Sequence, residues 1–329
     1  MTSRMDAPTN STPANGHVPV MIDEVLVALQ PRDGGRYVDG TLGAGGYTSK
    51  ILDAADCRVW AIDRDADAIA GASELVEKYA GRLKVIEGRF GDMAEILSSV
   101  GIEAVDGIAL DLGVSSMQID DPKRGFSFRH DGPLDMRQGK DGLSASDFVN
   151  EADEGVLADI IFNYGEERQA RRIARAIVNA RTNTPITRTS QLADIIRNTY
   201  RGGRSSKTDP ATKTFQAIRI EVNEELDEVK RGLRGAEIML APGGRLAVVS
   251  FHSLEDRIVK DFLRTHSGEI PTVSRHLPAA IPTGPEARFS LVRRGAQKPT
   301  VEETKVNPRS RSARLRIAER TSAPPMLEN

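Results

Sequence analysis

The chain has 329 residues and a formal net charge of −2, and at about 150 residues per domain this length predicts one large domain with an insertion, or two domains. Its hydrophobic content of 39% and charged content of 28% are those of a globular protein, and the near-neutral total gives no sign of a nucleic-acid binder. No run approaches the roughly 18 apolar residues of a bilayer span, which excludes a membrane-spanning protein.

The N-terminal segment, residues 1–16, is polar and lacks the apolar stretch of about 7–15 residues that a signal peptide needs. We interpret it as a disordered tail. The single cysteine, Cys57, lies in the apolar run Cys57–Ile62. This position predicts packing in a buried strand rather than a disulfide, a metal ligand or a nucleophile. Together these features predict a cytoplasmic protein without membrane contact.

Residues 17–119 alternate short apolar runs with helical patterns, which is typical of a parallel sheet covered by helices. The predicted strands are Arg36–Asp39, Arg58–Asp63, Leu83–Glu87 and Gly107–Asp111. The predicted helices between them are Tyr47–Ala55 and Ala66–Tyr79. We therefore expect the first part of a Rossmann-like α/β domain here.

The alternation breaks over residues 120–213. Asp120–Asp141 is rich in Gly, Asp and Pro and predicts a long ordered loop, and helical patterns follow near residues 151–162, 166–181 and 189–200. The sheet pattern resumes over residues 214–329. Its signals are a long helix near 211–240, a stop at Pro242-Gly243-Gly244, the buried strand Arg245–Ser250 and a helix from Ser253. The sequence thus predicts a small helical domain inserted into an interrupted sheet domain.

The turn after the first predicted strand, residues 39–46, contains four glycines. Such a turn lets a ligand approach the backbone closely, and the following helix offers free N–H groups, so we expect a nucleotide-like ligand. Asp63 ends the next strand twenty residues after Gly43, the spacing of a carboxylate that binds both ribose hydroxyls. Asp39 would repel the pyrophosphate of a dinucleotide and favours the cationic S-adenosylmethionine. Lys50 lies too far past the glycines for an ATP-type P-loop.

Two further residues follow predicted strands at the same edge of the sheet. Asp111 ends the fourth strand, beside the crevice where open α/β sheets bind ligands, although Asp before Gly is also common in plain turns. Phe90 follows the third strand, where its ring either covers an adenine face or packs in the core. Both residues are therefore candidates for the ligand site.

Five long motifs resemble one known family. They are DLGVSSMQIDD (Asp111–Asp121), GFSFRHDGPLDMR (Gly125–Arg137), YGEERQARRIARAIV (Tyr164–Val178), TFQAIRIEVNEEL (Thr214–Leu226) and SFHSLEDRIVK (Ser250–Lys260). In this order, with matching segments from His17 to Arg320, they closely resemble the RsmH (MraW) family. Its members are bacterial S-adenosylmethionine-dependent methyltransferases that act on the N4 amine of a cytidine in 16S ribosomal RNA. The resemblance implies a Rossmann-like methyltransferase fold with an inserted helical domain.

The resemblance also implies, position by position, a set of residues that contact S-adenosylmethionine. They are Gly45, Gly46, Tyr47, Asp63, Phe90, Asp111 and Gln118. Tyr47 stands where the family commonly has His. A backbone contact is retained at this position, whereas a contact by an imidazole is lost.

An exocyclic cytosine amine is a weak nucleophile, because its lone pair is delocalised into the ring, so it must be aligned and its N–H needs an acceptor. Amino-methyltransferases of nucleic acids commonly use an Asp/Asn/Ser-Pro-Pro-aromatic motif, whereas this chain has Asp111-Leu112-Gly113. Asp111 remains our candidate acceptor. His252 is a weaker candidate for orienting the substrate, since Ser253 and Asp256 beside it have the spacing of a helix capping box. We find no metal-ligand spacing, and the transfer needs no metal.

The charge is distributed unevenly along the chain. Residues 164–207 contain ten basic and three acidic residues, and residues 288–316 contain nine and two, so each segment has a local net charge of +7. The first segment predicts a basic stripe on one face of a helix. The second predicts an edge strand whose arginines point outward. For each segment, a charged face in contact with solvent is the plainer interpretation. The candidate RNA-binding residues are Arg168, Arg171, Arg172 and Arg175 on the stripe, Arg314 and Arg316 on the strand, and Phe126 and Phe128, whose rings either stack on a base or pack on the core.

Together with these patterns, the resemblance implies an S-adenosylmethionine-dependent methyltransferase whose partner is 16S rRNA in the small ribosomal subunit or a late assembly intermediate. Two alternatives stay open. One is a ribosome-assembly protein that binds RNA through a vestigial methyltransferase fold, and the other is a small-molecule methyltransferase, which fits poorly with the two basic segments. No pattern in the sequence sets an oligomeric state.

Overall fold

The computed structural model describes residues 19–200, 209–268 and 286–326, so the predicted disordered tail lies outside the described residues. Within these ranges one seven-stranded sheet forms the centre of the molecule. Its strands are β1 Arg36–Asp39, β2 Arg58–Asp63, β3 Leu83–Glu87, β4 Val105–Asp111, β5 Leu240–Ser250, β6 Phe289–Leu291 and β7 Arg314–Arg320. Their spatial order is β3-β2-β1-β4-β5-β7-β6. Strand β7 is antiparallel to β5 and β6, and the other pairs are parallel.

The helices of the described residues surround this sheet and form the inserted unit. In chain order they are α1 Ile22–Leu29, α2 Gly46–Ala54, α3 Ala66–Gly71, α4 Ser73–Lys78, α5 Met93–Ser99, α6 Ser116–Asp120, α7 Ala145–Glu151, α8 Glu154–Gly165, α9 Ala170–Asn183, α10 Thr189–Thr199, α11 Ala211–Asn223, α12 Glu225–Met239, α13 Ser253–His266 and α14 Val301–Val306. Short 3-10 turns lie at Phe90–Asp92, Pro122–Arg124 and Pro308–Ser312. None of the helices in this part of the chain is long and apolar enough to cross a membrane.

Three apolar clusters hold this architecture together. Strands buried on both faces send alternate side chains to opposite sides of the sheet. Val38 and Ile108 accordingly belong to one cluster, whereas Tyr37 and Ala109 belong to the other. The third cluster lies among α7 to α11 and has its own buried aliphatic and aromatic side chains. The α/β fold with a helical insertion, which the sequence predicts, is thereby confirmed.

The strand order reverses between β1 and β4. In open parallel sheets such a reversal opens a crevice at the carboxyl ends of the strands, which is the usual place for a ligand. Asp39, Asp63 and Asp111 are the last residues of β1, β2 and β4. The fold therefore brings these three predicted site residues to one edge of the sheet.

Several helix boundaries differ from the prediction. The helix expected near residues 211–240 is two helices, because Glu224 adopts a left-handed conformation with φ of 53° between α11 and α12. The predicted helix Ala66–Tyr79 is also two helices, α3 and α4, which are separated at Ala72, where φ is −86° and ψ is 1°. Helix α1 has no counterpart among the predicted elements.

The strands of the second half also differ from the prediction. Strand β5 begins at Leu240 rather than Arg245, and its pairing with β4 shifts register between Val105 and Gly107, so that Pro242-Gly243-Gly244 lies within the strand. The strand predicted at Arg314 is present as β7, but its predicted position at the edge of the sheet is wrong, because β7 lies between β5 and β6. A strand in this interior position has both edges paired.

Candidate active site

The glycine-rich turn between β1 and α2 is held from beneath by neighbouring strands. The Gly40 N–H donates to the carbonyl of Ala109 in β4 (2.9 Å), and the Leu42 N–H donates to the carbonyl of Ile62 in β2 (3.0 Å). Gly43 and Gly45 have φ values of 50° and 75°, the left-handed region that glycine adopts without strain. These contacts fix the shape of the turn at the start of α2.

Asp39 lies completely buried beneath this turn. Its Oδ1 accepts the Thr41 N–H (3.1 Å), and its Oδ2 accepts both the N–H and the hydroxyl of Thr48 (3.1 and 2.7 Å). Burial raises the pKa of Asp39 to about 6, against the opposing effect of these hydrogen bonds. Asp39 thus shapes the turn and places a negative charge under it, rather than extending into the crevice.

Asp63 has a different environment at the end of β2. Its Oδ2 accepts the Gly43 N–H (2.8 Å) and its Oδ1 accepts the Asp65 N–H (2.9 Å). A carboxylate offers about four acceptor positions, so each oxygen retains one for a ligand hydroxyl. Burial raises the pKa of Asp63 as well. This arrangement suits a carboxylate that accepts two hydrogen bonds from a ribose.

Asp111 lies across the turn from these groups. Its backbone N–H donates to the Thr41 hydroxyl (2.7 Å), which ties the end of β4 to the glycine turn. Its Oδ1 is buried and accepts no hydrogen bond from the described part of the chain. Burial, and then the negative charges of Asp39 and Glu255, raise the pKa of Asp111 well above the usual value of a carboxyl group. Because a buried acceptor without a partner is unfavourable, this oxygen is suited to an N–H group of a ligand.

Two of the predicted cofactor residues direct their side chains into the protein. The Tyr47 ring is buried, and its hydroxyl donates to the carbonyl of Val20 (2.6 Å). The Gln118 side chain donates to Asp65 (2.8 Å) and accepts the Ser115 N–H (3.0 Å), which completes the N-terminal cap of α6. At Tyr47 the backbone N–H near the start of α2 is the group that remains for a ligand.

Phe90 lies at the start of the 3-10 turn after β3 and is only partly buried. A side chain at Gly232 of α12 would come within 2.5 Å of its ring, and one at Gly40 would come within 3.2 Å of its Cβ. The ring therefore packs closely on α12 while keeping an exposed part at the rim of the crevice. Both roles expected of Phe90, core packing and contact with a ligand ring, are compatible with this position.

His252 caps the N-terminus of α13. The Glu255 N–H donates to its Nδ1 (3.4 Å), and Glu255 Oε2 accepts the N–H groups of Phe251 and His252 (2.8 and 3.2 Å). The capping box predicted at Ser253 and Asp256 is therefore wrong by one residue. Burial opposes ionisation of Glu255, but the contact with His252 and the charge of Arg219 lower its pKa.

A buried cluster that sequence spacing did not predict lies behind this cap. Ligand-type atoms of Glu225, His252 and Glu255 lie within 4.8 Å of one another. Arg219 binds both oxygens of Glu225 (2.9 and 2.8 Å) and balances its charge, so we interpret the cluster as an ion-pair network. Its members are far apart in the chain, and the three-residue spacing of His252 and Glu255 is the only local signal of it.

Asn223 is a further residue that the sequence analysis missed. It is fully buried at the end of α11, where its amide donates to the carbonyls of Met136 and Arg219 (2.7 and 2.9 Å) and accepts the Gln138 N–H (2.8 Å). Arg64, which follows Asp63, donates to the Asn223 carbonyl (3.0 Å). Asn223 thus joins the predicted loop to α11 through its side chain, and joins α11 to the crevice edge through its backbone carbonyl.

The candidate RNA-binding residues fall into two groups. Arg168 in the turn before α9, and Arg171, Arg172 and Arg175 on α9, are all exposed, and Arg175 lies 3.4 Å from Glu154. The others are largely engaged inside the protein. Phe126 is buried in the helical core, the Phe128 ring packs edge-on against Phe215 (4.8 Å between centroids), and Arg316 pairs through two nitrogens with Asp256 (2.7 and 3.0 Å). Arg314 lies on β7 and is half-buried.

The chain matches the MraW methylase family over residues 14–321. It is 57% identical over 309 residues to Ribosomal RNA small subunit methyltransferase H of Paramagnetospirillum magneticum, an alignment that covers 94% of this chain and 96% of that protein. It is 59% identical over 308 residues to the protein of the same name from Rhodospirillum centenum, with 94% and 93% of the two chains covered. A third relative of that name, from Azorhizobium caulinodans, is 54% identical over 325 residues and covers 98% and 92%.

Proposed function

The chain belongs to the MraW methylase family, and from this membership we propose that it methylates the N4 exocyclic amine of a cytidine in 16S ribosomal RNA of the small subunit. S-adenosylmethionine is the methyl donor of this methyltransferase. The names of the relatives support the substrate class. The observation that carries the proposal is the buried Oδ1 of Asp111, which has no partner among the described residues.

The residues at the crevice fit S-adenosylmethionine by their chemistry. Once bound, this cofactor supplies an electrophilic methyl group on a sulfonium sulfur. Asp63 would accept the ribose hydroxyls with the lone pairs that Gly43 and Asp65 leave free. The buried negative charge of Asp39 favours the cationic part of the cofactor, and the rim position of Phe90 suits an aromatic face. The backbone N–H groups at Gly46 and Tyr47 would bind its carboxylate.

Asp111 acts on the target amine. Its carboxylate, in a residue that is only partly buried, accepts an N–H of the amine, which orients the nitrogen lone pair and opposes its delocalisation into the ring. After transfer the methylated nitrogen must lose one proton, and the same carboxylate accepts it. The raised pKa of Asp111 makes its ionised form a stronger base than an exposed aspartate. His252 would orient substrate at the same edge, where Glu255 fixes its ring.

We place the substrate contact on the inserted helical unit, residues 120–213, and on the arginine stripe of α9. All four arginines of the stripe are exposed, and charges of this sign bind RNA phosphates. The substrate is 16S rRNA in the small subunit or in a late assembly intermediate, and the reaction takes place in the cytoplasm. The two parts of the methyltransferase domain, residues 17–119 and 214–329, supply the crevice.

The test is methyl transfer from labelled S-adenosylmethionine to small subunits that lack the mark, followed by mass spectrometry of the nucleosides. We expect N4-methylcytidine, and we expect Asp111→Asn to lower kcat by about 10²- to 10⁴-fold, the usual contribution of a general base. Asp106→Asn is the matched control. It lies on the same strand at the far end from the crevice, where it pairs with Arg32 (2.6 Å). A wild-type rate in Asp111→Asn, or a methyl group on another atom, contradicts the proposal.

The alternative of a vestigial fold that only binds RNA is not favoured. The chain keeps the glycine turn, Asp63 and Asp111 in one crevice, which RNA binding alone does not require. Calorimetry separates the two functions, since a vestigial site binds no S-adenosylmethionine.

A further inference from the structure

A cleft opens between α8 and α9, in the inserted unit rather than at the crevice. Its volume is about 700 Å³. Its walls contain one acidic side chain, Asp159, and three arginines, Arg168, Arg171 and Arg172. An aromatic side chain, Phe162, completes the lining. The cleft therefore combines a ring with an excess of positive charge.

Phe162 is unusual because its side chain is exposed. The residue is 58% exposed, although neighbouring residues of α8 such as Leu157 and Ile161 are completely buried in the helical core. A large aromatic ring on the surface loses the free energy of burial, so it marks a binding position when other features agree.

The charges around Phe162 agree with an anionic ligand. Among the described residues, neither Arg168 nor Arg171 has an ion-pair partner, and Arg172 makes only a long contact with the Gln169 side chain (3.5 Å). Exposed aromatic rings beside arginines are the usual means by which proteins bind single-stranded nucleic acid, since the ring stacks on a base and the cations contact phosphates.

The cleft is connected to the crevice through the loop between α8 and α9. Glu166 in this loop accepts a hydrogen bond from the Ser253 hydroxyl (3.0 Å) and lies 3.5 Å from Arg257. Ser253 directly follows His252 at the carboxyl edge of the sheet. A strand of RNA that lies over this loop can therefore reach both the cleft and the crevice.

We propose that the cleft between α8 and α9 binds an unstacked base of single-stranded RNA, with Phe162 stacking on the base and Arg168 and Arg171 contacting the adjacent phosphates. This inference rests on the proposed function, because it assigns the cleft to the same RNA substrate. The nucleotide bound here is separate from the one that is methylated, and it anchors the strand beside the catalytic crevice.

The test compares Phe162→Ala with the wild-type protein, using a fluorescein-labelled single-stranded oligoribonucleotide of about 12 nucleotides, within the roughly 4–16 that such sites cover. Stacking contributes ~1–3 kcal/mol per base, so we expect the Kd to rise by about 5- to 150-fold. Val156→Ala is the matched control, because Val156 is 47% exposed on the same helix but does not line the cleft.

Phe162→Trp gives an independent readout. The chain has one tryptophan, Trp60, which is only 8% exposed in β2. A tryptophan at position 162 would be the exposed fluorophore, and a stacked base would quench it while the affinity stays close to that of wild type. Unquenched fluorescence at saturating oligoribonucleotide contradicts stacking.

Methyl transfer to small subunits is measured in parallel, so that the two proposals fail separately. If the Kd of Phe162→Ala for the oligoribonucleotide is within twofold of the wild-type value, and the wild-type protein transfers methyl groups normally, the RNA assignment of the cleft is overturned. The proposed function is then left intact. If Phe162→Ala weakens binding to subunits but leaves oligoribonucleotide binding unchanged, the cleft binds a ribosomal protein. This result also overturns the proposal. If the wild-type protein transfers no methyl group although Phe162→Ala still weakens oligoribonucleotide binding, the proposed function fails and RNA binding in the cleft is upheld.

Discussion

Asp39, Asp63 and Asp111 end three parallel strands at the same edge of the sheet, but their hydrogen-bond partners differ. Asp39 accepts three hydrogen bonds from Thr41 and Thr48, whereas Asp63 accepts one on each oxygen and retains more of its accepting capacity. Asp111 has one oxygen without a partner in the described part of the molecule. Three residues of one type at equivalent positions can therefore support the turn, bind a diol and act as a base.

Asp63 provides the first prediction at this scale. Asp63→Ala should weaken the binding of S-adenosylmethionine by about 1–3 kcal/mol, because the ribose hydroxyls lose a buried acceptor. Calorimetry measures the change. Glu87→Ala is the matched control, since Glu87 ends the neighbouring strand β3 and is exposed. Equal affinities of Asp63→Ala and wild type would exclude the ribose role.

The pKa of Asp39 gives a prediction about pH. Burial raises this pKa to about 6, and a cationic ligand lowers it again because the ligand stabilises the ionised form. Binding therefore releases a proton near pH 6, and the affinity for S-adenosylmethionine falls as the pH falls through this value. If the ligand lowers the pKa by one unit, the loss of affinity approaches roughly tenfold at low pH.

Calorimetry between about pH 5 and pH 7.5 measures this dependence. Asp39→Asn should flatten it. An unchanged slope in Asp39→Asn would instead attribute the pH dependence to Asp63 or Asp111, whose pKa values are also raised.

At the scale of elements, the inserted helix α9 has two distinct faces. Ile173 and Ile177 are completely buried in the helical core, whereas the arginines between and before them are exposed. An amphipathic helix of this kind turns its basic stripe to solvent because its apolar stripe is already packed. Three of the four arginines predicted on this stripe, Arg171, Arg172 and Arg175, lie on the exposed face of α9, whereas Arg168 lies in the turn before it. Their contact with RNA stays a prediction.

Salt dependence tests this contact. Each phosphate contact with single-stranded RNA contributes about 0.7 to the slope of log K against log salt, so Arg168→Ala with Arg171→Ala should lower the slope by about twice that amount. The matched control is Arg36→Ala with Arg58→Ala, because these arginines are exposed at the first positions of β1 and β2, opposite the crevice. If Arg168→Ala with Arg171→Ala leaves the slope of log K against log salt unchanged, these arginines contact solvent rather than RNA phosphates.

Elements with continuous apolar runs could be predicted closely from the sequence. The bounds of β1, β2 and β3 agree with the prediction, and β2 has four consecutive buried apolar residues between Arg58 and Asp63. The break at Glu224 could not be predicted, because no local pattern marks a left-handed glutamate between two helices. The interior position of β7 likewise depends on β6, a strand of three residues with little pattern of its own.

At the scale of the whole molecule, the sheet and the inserted unit are joined through Asn223. Asn223→Ala leaves the buried Gln138 N–H and the Met136 carbonyl without this partner. We expect a loss of about 1–3 kcal/mol in the free energy of unfolding for each buried group left unpaired, measured by denaturant titration. Asn179→Ala on the exposed face of α9 should have little effect. A stable Asn223→Ala variant would show that other contacts join the two units.

The site as a whole could be predicted only in part. Glycine spacing and strand ends located Asp39, Asp63 and Asp111, and the five motifs indicated the family, the enzyme class and S-adenosylmethionine, which are confirmed. Asn223, Arg219 and Glu255 were missed because their roles arise from residues distant in the chain. A periodic pattern within one segment does not indicate contacts between segments that are distant in the chain.

The buried cysteine has a practical consequence for mapping the substrate. Cys57 is the only cysteine of the chain, it is 1% exposed, and burial raises the pKa of its thiol. Its sulfur therefore reacts poorly with alkylating reagents in the folded protein. A cysteine introduced at Asn163, on the exposed wall of the cleft, would be the one readily labelled thiol. A photoreactive group attached there would cross-link to the nucleotides that pass it, so the path of the ribosomal RNA across the enzyme can be traced one tethered position at a time.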